Sequence, residues 1–139
     1  LVKEGAPLIR YRTHDLSRII PGECPCGSKY PRIDVILGRT DDMVKVKGVN
    51  IFPSQIEEML KDIKGASSEY QVMIDHLNGK DILTLFVEIR DDANPYEMEY
   101  EIGTAFKNKI GIAANIKPVS IGDLPRSEKK STRIYDNRY

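Results

Sequence analysis

The sequence predicts an α+β fold: a small two-layer sheet with helices on one face, preceded by short β-strands. The prediction rests on periodicity. Apolar residues recur at helical spacing over 56–63 and 98–110, and they alternate over 70–89 around an Asn-Gly pair. From residue 43 the expected order is strand, helix, two strands, helix, strand. Residues 1–38 are β-rich but too poor in apolar side chains to close a core of their own.

The first third of the chain is expected to form short strands. Apolar and polar residues alternate over 7–20, which predicts two short strands joined at Thr13–Asp15. The proline- and glycine-rich stretch 21–27 interrupts regular structure. A further strand is expected over 33–37, where Ile33, Val35, Ile36 and Leu37 occur.

The next elements begin at Met43, where valines favour extended structure. Ser54, followed three residues later by Glu57, has the capping-box pattern and predicts the start of a helix. The apolar face of that helix is expected to consist of Ile56, Met59, Leu60 and Ile63.

A hairpin and a second helix are predicted to follow. Alternation at Tyr70, Val72 and Ile74, the turn Asn78-Gly79 and the apolar run 82–89 together predict a β-hairpin. Asn94-Pro95 then opens a helix, and residues 116–121 supply a last strand. By composition alone, the polar tail from Pro125 to Tyr139 indicates a solvated end.

Composition excludes several classes of partner. The 139 residues suit about one domain, and 21 basic residues balance 21 acidic ones, so no net field attracts nucleic acid or an anionic membrane. The two cysteines, Cys24 and Cys26, are too close in sequence to provide a disulfide framework. With no long apolar run and no signal-like start, the cytoplasm is the expected location.

The stretch from Gly38 to Glu58 carries the most functional information. A polar turn with Arg39, Asp41 and Asp42 leads through a strand to a loop at Gly48, which leaves room for a close backbone approach. This arrangement suits a hinge or a phosphate contact. Taken alone, the two aspartates could equally be turn formers.

Four segments together resemble the adenylate-forming enzymes, and most of all the carboxyl-terminal part of phenylacetate-coenzyme A ligases. They are Arg10–Leu16, Gly38–Met43, Gly48–Glu58 and Pro125–Glu128. The resemblance covers nearly the whole chain. It implies that residues 1–38 are the tail of an N-terminal adenylation domain whose remainder is missing from this chain, and that residues 39–139 are the C-terminal lid domain.

The resemblance also implies a role for individual residues. Asp15 would accept hydrogen bonds from the ribose hydroxyls, although a turn aspartate is the plain alternative. Arg39 would lie near the nucleotide phosphate and ribose, Asp41 would be the hinge, and Gly48 would line the coenzyme A tunnel. Lys130 would be the catalytic lysine of adenylation; Lys129 stands where many relatives have glycine, so either lysine could enter the site.

The implied activity is that of an acid-thiol ligase acting on an aromatic acid such as phenylacetate. ATP with Mg²⁺ would activate the acid as an acyl-adenylate, this domain would rotate, and coenzyme A would displace AMP. The chain alone is expected to have little activity. Two alternatives are open: a stand-alone nucleotide- or protein-binding module, and an adenylating enzyme that loads a carrier protein. A homo-oligomer is also open, because unpaired strand edges seek partners.

The cysteines are weak candidates for a metal site. Structural zinc needs four ligands, usually in pairs spaced by two to four residues, and Cys24 and Cys26 are separated by only one. We therefore expect two free thiols in a loop and no metal.

Overall fold

In the computed structural model, which describes residues 11–126 and 133–138, the chain divides into two compact units. The first unit is residues 1–42 and the second is residues 43–139. Residues 39–42 thus lie with the first unit, whereas the sequence placed the start of the lid domain at Arg39.

Four strands of two residues each make up the regular structure described in the first unit. They are β1 (Asp15–Leu16), β2 (Ile19–Ile20), β3 (Arg32–Ile33) and β4 (Gly38–Arg39). β1 pairs with β4 and β2 pairs with β3, both antiparallel.

Two of the strand predictions for this unit are wrong. The joint expected at Thr13–Asp15 is not there, because Asp15 already belongs to β1; residues 7–10 of the strand expected before it lie outside the described residues. Of the strand expected over 33–37, only Ile33 lies in a strand, namely β3. Beyond it, side chains form hydrogen bonds with the backbone of Asp34 and Val35. Ser17 Oγ donates to the Asp34 carbonyl at 2.8 Å, and the Asp34 carboxylate accepts from the Val35 N–H at 2.9 Å.

The second unit has the predicted α+β architecture. A hairpin of β5 (Val44–Val46) and β6 (Val49–Ile51) precedes α1 (Pro53–Lys61). The remaining elements are β7 (Ala66–Leu77), β8 (Lys80–Ile89), α2 (Pro95–Ile110), β9 (Asn115–Ser120) and β10 (Ile134–Asp136). β7 to β10 form one sheet in the order β10-β7-β8-β9, in which β7 and β8 are antiparallel and the outer pairs are parallel.

The predicted hairpin of β7 and β8 is confirmed. Leu77 pairs with Lys80 across Asn78 and Gly79, whose φ angles of 52° and 74° are those that a tight two-residue hairpin turn requires.

The two helices begin differently. Asn94 caps α2, accepting a hydrogen bond from the Tyr96 N–H at 3.0 Å, as predicted. The Ser54–Glu57 capping box is wrong, because α1 already begins at Pro53, whose fixed φ suits the first helical position. Gln55 takes the capping role instead, with its Oε1 accepting from the Phe52 N–H at 3.1 Å.

All of the buried apolar residues described lie in the second unit. They include both predicted helix faces and the inward side of the hairpin. The largest of those that are fully buried are Tyr70, Phe106, Ile51, Ile56, Leu60, Ile74, Leu83, Leu85 and Ile102. Packing of the helices on the sheet therefore produces one core, built from the alternation and helical spacing of the sequence.

The predicted strand over 116–121 is confirmed as β9, but it is not the last strand. β10 follows it and pairs in parallel with β7. β9 forms one edge of the described sheet and carries Pro118 within it. No helix among the described residues is long and apolar enough to cross a membrane.

Candidate functional site

Asp15 and Arg39, the two residues predicted to bind the nucleotide, lie opposite each other in the first unit. The antiparallel register of β1 and β4 pairs them directly. The His14 carbonyl accepts from the Thr40 N–H at 2.8 Å and from the Thr40 hydroxyl at 3.2 Å, which extends this pairing by one position. The structure thus places a carboxylate and a guanidinium on neighbouring strands.

Arg39 is oriented by its own turn. Its Nε donates to Asp41 Oδ1 at 2.9 Å and its Nη2 to Asp41 Oδ2 at 2.6 Å, which is a two-pronged contact with a planar carboxylate. These hydrogen bonds from Arg39 lower the pKa of the Asp41 carboxyl to about 2, and they raise the pKa of the guanidinium. Asp41 is therefore ionised at neutral pH.

Asp41 lies outside helices and strands. It falls between β4, which ends at Arg39, and β5, which begins at Val44, and the division between the units follows Asp42. A residue in such a turn can change its backbone angles without breaking a ladder of hydrogen bonds. Its role as the hinge stays a prediction.

Gly48 occupies the tight turn between β5 and β6. Its φ is 82° and that of Lys47 is 50°. A Cβ added at Gly48 would find no other atom within 4 Å, so a ligand can approach the backbone here. Lys47 also lines an open cleft of about 900 Å³, whose other wall is the tip of the β7–β8 hairpin, residues 77–82.

Lys129 and Lys130 lie outside the described residues, but the chain just before them is anchored. The side chain of Glu88, on β8, is fully buried and pairs with Arg126 Nη2 at 2.7 Å. The same carboxylate accepts from the Gly122 N–H at 3.0 Å and the Leu124 N–H at 3.2 Å. A buried charge needs such partners, and here they come from the turn after β9.

The chain just after the lysines is anchored as well. Arg133 Nη1 donates to Glu57 Oε1 at 2.9 Å, and the guanidinium lies 4.9 Å from the centre of the Tyr70 ring. Burial raises the pKa of Tyr70 to about 12, and its hydroxyl donates to the Pro53 carbonyl at 3.0 Å. The described residues of the tail are therefore anchored to the second unit, although most of them are exposed, as expected of a solvated end.

The last described residues are also held by charge. Arg138 Nη1 donates to Asp81 at 2.8 Å and to the Lys45 carbonyl at 3.0 Å, and Nη2 donates to Asp136 at 2.6 Å. The pKa of Asp81 is lowered by its hydrogen bond with His76 and then by Arg138. The pKa of Asp136 is lowered by its hydrogen bonds with Arg138.

Sequence reasoning missed the anchors Glu88 and Arg126. Glu88 is the one carboxylate in the run from Ile82 to Ile89, and period-2 alternation places it on the face opposite Leu85 and Val87. That alternation indicates a solvated position. What covers Glu88 is a turn 34 residues further along the chain, which local pattern does not reveal.

The thiols of Cys24 and Cys26 lie close together in the first unit. Both are free, their sulfurs are 2.9 Å apart, and the hydrogen bond with Cys24 lowers the pKa of the Cys26 thiol. Within the described ranges, no group of three or more His, Cys, Asp or Glu side chains could hold a metal ion. Two sulfurs alone do not provide the four ligands of structural zinc.

Comparisons with known proteins agree with the predicted resemblance. Residues 48–138 match the family described as the AMP-binding enzyme C-terminal domain. Phenylacetate-coenzyme A ligase of Escherichia coli (strain K12) is 36% identical over 144 residues, which cover 99% of this chain and 32% of that enzyme. The chain thus spans about a third of the length of the curated relatives that it matches.

Solved structures give the same result. A domain of phenylacetate-coenzyme A ligase from Bacteroides vulgatus ATCC 8482 is 33% identical with a TM-score of 0.63, covering 71% of this chain and 95% of that one. 2-Hydroxyisobutyryl-CoA ligase in its postadenylation state is 30% identical with a TM-score of 0.77, and in its thioesterification state 30% identical with 0.65. Both matches cover 95% of this chain and 29% of that one. The chain therefore belongs to the family of AMP-binding enzyme C-terminal domains.

Proposed function

We propose that the complete protein is an ATP-dependent ligase that joins an aromatic carboxylic acid, such as phenylacetate, to coenzyme A. The observation that carries this proposal is the extent of the match to phenylacetate-coenzyme A ligase, which covers 99% of the chain and so includes both compact units. The first unit supplies nucleotide contacts, and the second is the mobile lid.

The first half-reaction would form the acyl-adenylate. A carboxylate oxygen of the acid bonds to the α-phosphorus of ATP, and the bond to the pyrophosphate oxygen breaks. Asp15, an acceptor on β1, suits the ribose hydroxyls, and Arg39 on β4 suits the phosphate. Negative charge builds on the phosphate, and the ammonium of Lys130 would stabilise it.

A divalent ion such as Mg²⁺ is expected to accompany the triphosphate. The described residues offer no cluster of acidic, histidine or cysteine ligands that fits a metal, so we assign none of them to it. ATP and coenzyme A would be substrates of the reaction.

The second half-reaction would form the thioester. The thiol sulfur of coenzyme A bonds to the acyl carbon, and the bond to the AMP oxygen breaks. Rotation about Asp41 would replace Lys130 by the turn at Gly48, where the open backbone gives the pantetheine arm a path. Structures of 2-hydroxyisobutyryl-CoA ligase with an acyl-adenylate and with coenzyme A support two such states for that relative.

The test is made on the complete protein with the variants Lys130→Ala and Lys129→Ala. Lys130→Ala is expected to reduce acid-dependent pyrophosphate release about 100-fold, because one charge on the developing phosphate is lost. Thioester formation from supplied acyl-adenylate and free coenzyme A should stay within about twofold of wild type. Lys129→Ala is the matched control, one residue away.

Equal losses in both half-reactions would count against the role of Lys130. A larger loss in Lys129→Ala would transfer the role to its neighbour. If the acyl group went to a carrier protein and never to free coenzyme A, the second half-reaction would be a different one.

A further inference from the structure

The fixed points on either side of the lysines suggest a further function for three carboxylates. In sequence, Arg126 and Arg133 enclose residues 127–132, and both Lys129 and Lys130 fall between them. Each arginine is held by a carboxylate of the second unit, Arg126 by Glu88 and Arg133 by Glu57.

A third carboxylate lies between the two arginines. Glu69 Oε1 is 3.9 Å from Arg126 Nη1 and also 3.9 Å from Arg133 Nη2. Arg126 and Arg133, which are seven positions apart in sequence, thus both lie near the Glu69 carboxylate. Glu69 is at the near end of β7, beside Tyr70, whose ring contacts Arg133.

We propose that Glu57, Glu69 and Glu88 are positioning residues for adenylation, because they fix both ends of the segment that carries Lys129 and Lys130. Glu88 pairs with Arg126, which precedes the lysines, and Glu57 pairs with Arg133, which follows them. Glu69 lies close to both arginines. The inference rests on the proposed function, since it concerns the lysine of the first half-reaction.

The physical reason is entropic. A lysine on a chain attached at one end must be ordered against the phosphate each time the first half-reaction occurs. Holding Arg126 and Arg133, the described residues on either side of the lysines, limits that freedom in advance, and an aligned catalytic group reacts faster than a freely moving one. The turn at Gly48 belongs to the hairpin of β5 and β6, whereas the three carboxylates lie on α1, β7 and β8. Loss of the carboxylate contacts should therefore slow adenylation and spare thioester formation.

Neighbouring residues on α1 provide the sharpest test. Glu57 pairs with Arg133, whereas Glu58, the next residue, pairs with Lys109 at 3.1 Å and has a side chain that is 70% exposed. Glu57→Gln and Glu58→Gln remove the same charge from the same helix. In the complete protein we expect Glu57→Gln to lower the rate of acid-dependent pyrophosphate release about fivefold, and Glu58→Gln to change it less than about twofold.

Both variants should form thioester from supplied acyl-adenylate at rates within about twofold of wild type. Glu69→Gln is a second variant of the same kind, because the Glu69 side chain is 30% exposed and is not part of the apolar core; it should resemble Glu57→Gln. Melting temperatures of all three variants show whether any loss of rate follows a loss of folded protein.

The inference is overturned if Glu57→Gln and Glu58→Gln behave alike, or if both half-reactions fall together. These outcomes leave the proposed function intact when Lys130→Ala is still selective. Wild-type protein that releases no pyrophosphate with any aromatic acid would overturn the proposed function, and this inference with it.

Discussion

The two compact units differ in how far their apolar side chains are buried. In the first, Ile33 is 68% exposed and Ile19 is 72% exposed, and none of its described residues is buried. In the second, Phe106 and Ile102 are fully buried between sheet and helices. The second unit therefore contains what it needs to fold. The first presents apolar surface of the kind that packs against other protein.

The strongest test of this contrast is a pair of substitutions, one of a buried apolar residue in the second unit and one of an exposed apolar residue in the first. Phe106→Ala should lower the free energy of unfolding by about 3–5 kcal/mol, because it leaves a cavity inside the second unit. Ile33→Ala should change it by less than about 0.5 kcal/mol, because the side chain is already exposed. Urea denaturation of the chain, followed by circular dichroism, measures both.

Comparable losses from the two substitutions would contradict the contrast. They would mean that the first unit contributes to the cooperative unfolding of the second.

A weaker test uses two glycines with nearly the same positive φ, one in each unit. Gly48 in the second unit has φ of 82° and Gly22 in the first has φ of 88°, and a Cβ at either would find no atom within 4 Å. With no clash at either position, the positive φ is what disfavours alanine relative to glycine in the folded state, and we expect a net cost of about 1 kcal/mol. We expect Gly48→Ala to lower the stability of the second unit by that amount and Gly22→Ala to leave it unchanged. A loss from Gly22→Ala as large as that from Gly48→Ala would argue that the units unfold together.

The smallest expected effect concerns acid. The pKa values of Asp81 and Asp136 are lowered in the folded state by hydrogen bonds, with His76 and Arg138 for Asp81 and with Arg138 for Asp136. The folded chain therefore binds fewer protons than the unfolded chain, and stability rises with pH through this range. The contribution is complete above the ordinary carboxyl value of about 4 and is lost as pH falls through the folded values.

The matched variants for acid are Arg138→Gln in the second unit and Arg39→Gln in the first. Arg138→Gln should lower the melting temperature at pH about 6, and the difference from wild type should shrink as the pH falls below about 4. Arg39→Gln should change little at either pH, because the Arg39–Asp41 pair lies in the unit without a core and is more exposed. A constant difference for Arg138→Gln across the whole range would exclude this explanation.

Sequence predicted the second unit well because its signals are local. The Asn78-Gly79 turn, the cap at Asn94 and the apolar spacing of both helices each depend on neighbours within a few residues. β10 was missed because three residues, Ile134–Asp136, carry too little pattern, and their partner Val72 lies far back in the chain. The cap of α1 was misassigned because the Ser54–Glu57 capping-box pattern overlaps with a proline at the first helical position. The helix begins at Pro53, one residue before Ser54.

The residues of the candidate site show the same difference between local signals and contacts of distant residues. The register of β1 and β4 brings Asp15 and Arg39 together, and their assignment to the nucleotide stays a prediction. The anchors Glu57, Glu69 and Glu88 were missed, because each becomes meaningful only when residues 126 and 133 return to the sheet. Charge pairs between distant residues leave no periodic trace in a sequence.

Pro118 has a consequence for the protein at high concentration. It lies within the outermost strand beside β8 and cannot donate a main-chain hydrogen bond. If a second molecule paired a strand with this edge of the sheet, the pairing would lack the hydrogen bond that Pro118 cannot donate, and the proline ring would obstruct it. The second unit is thus protected, at this edge of its sheet, from pairing with the strands of neighbouring molecules.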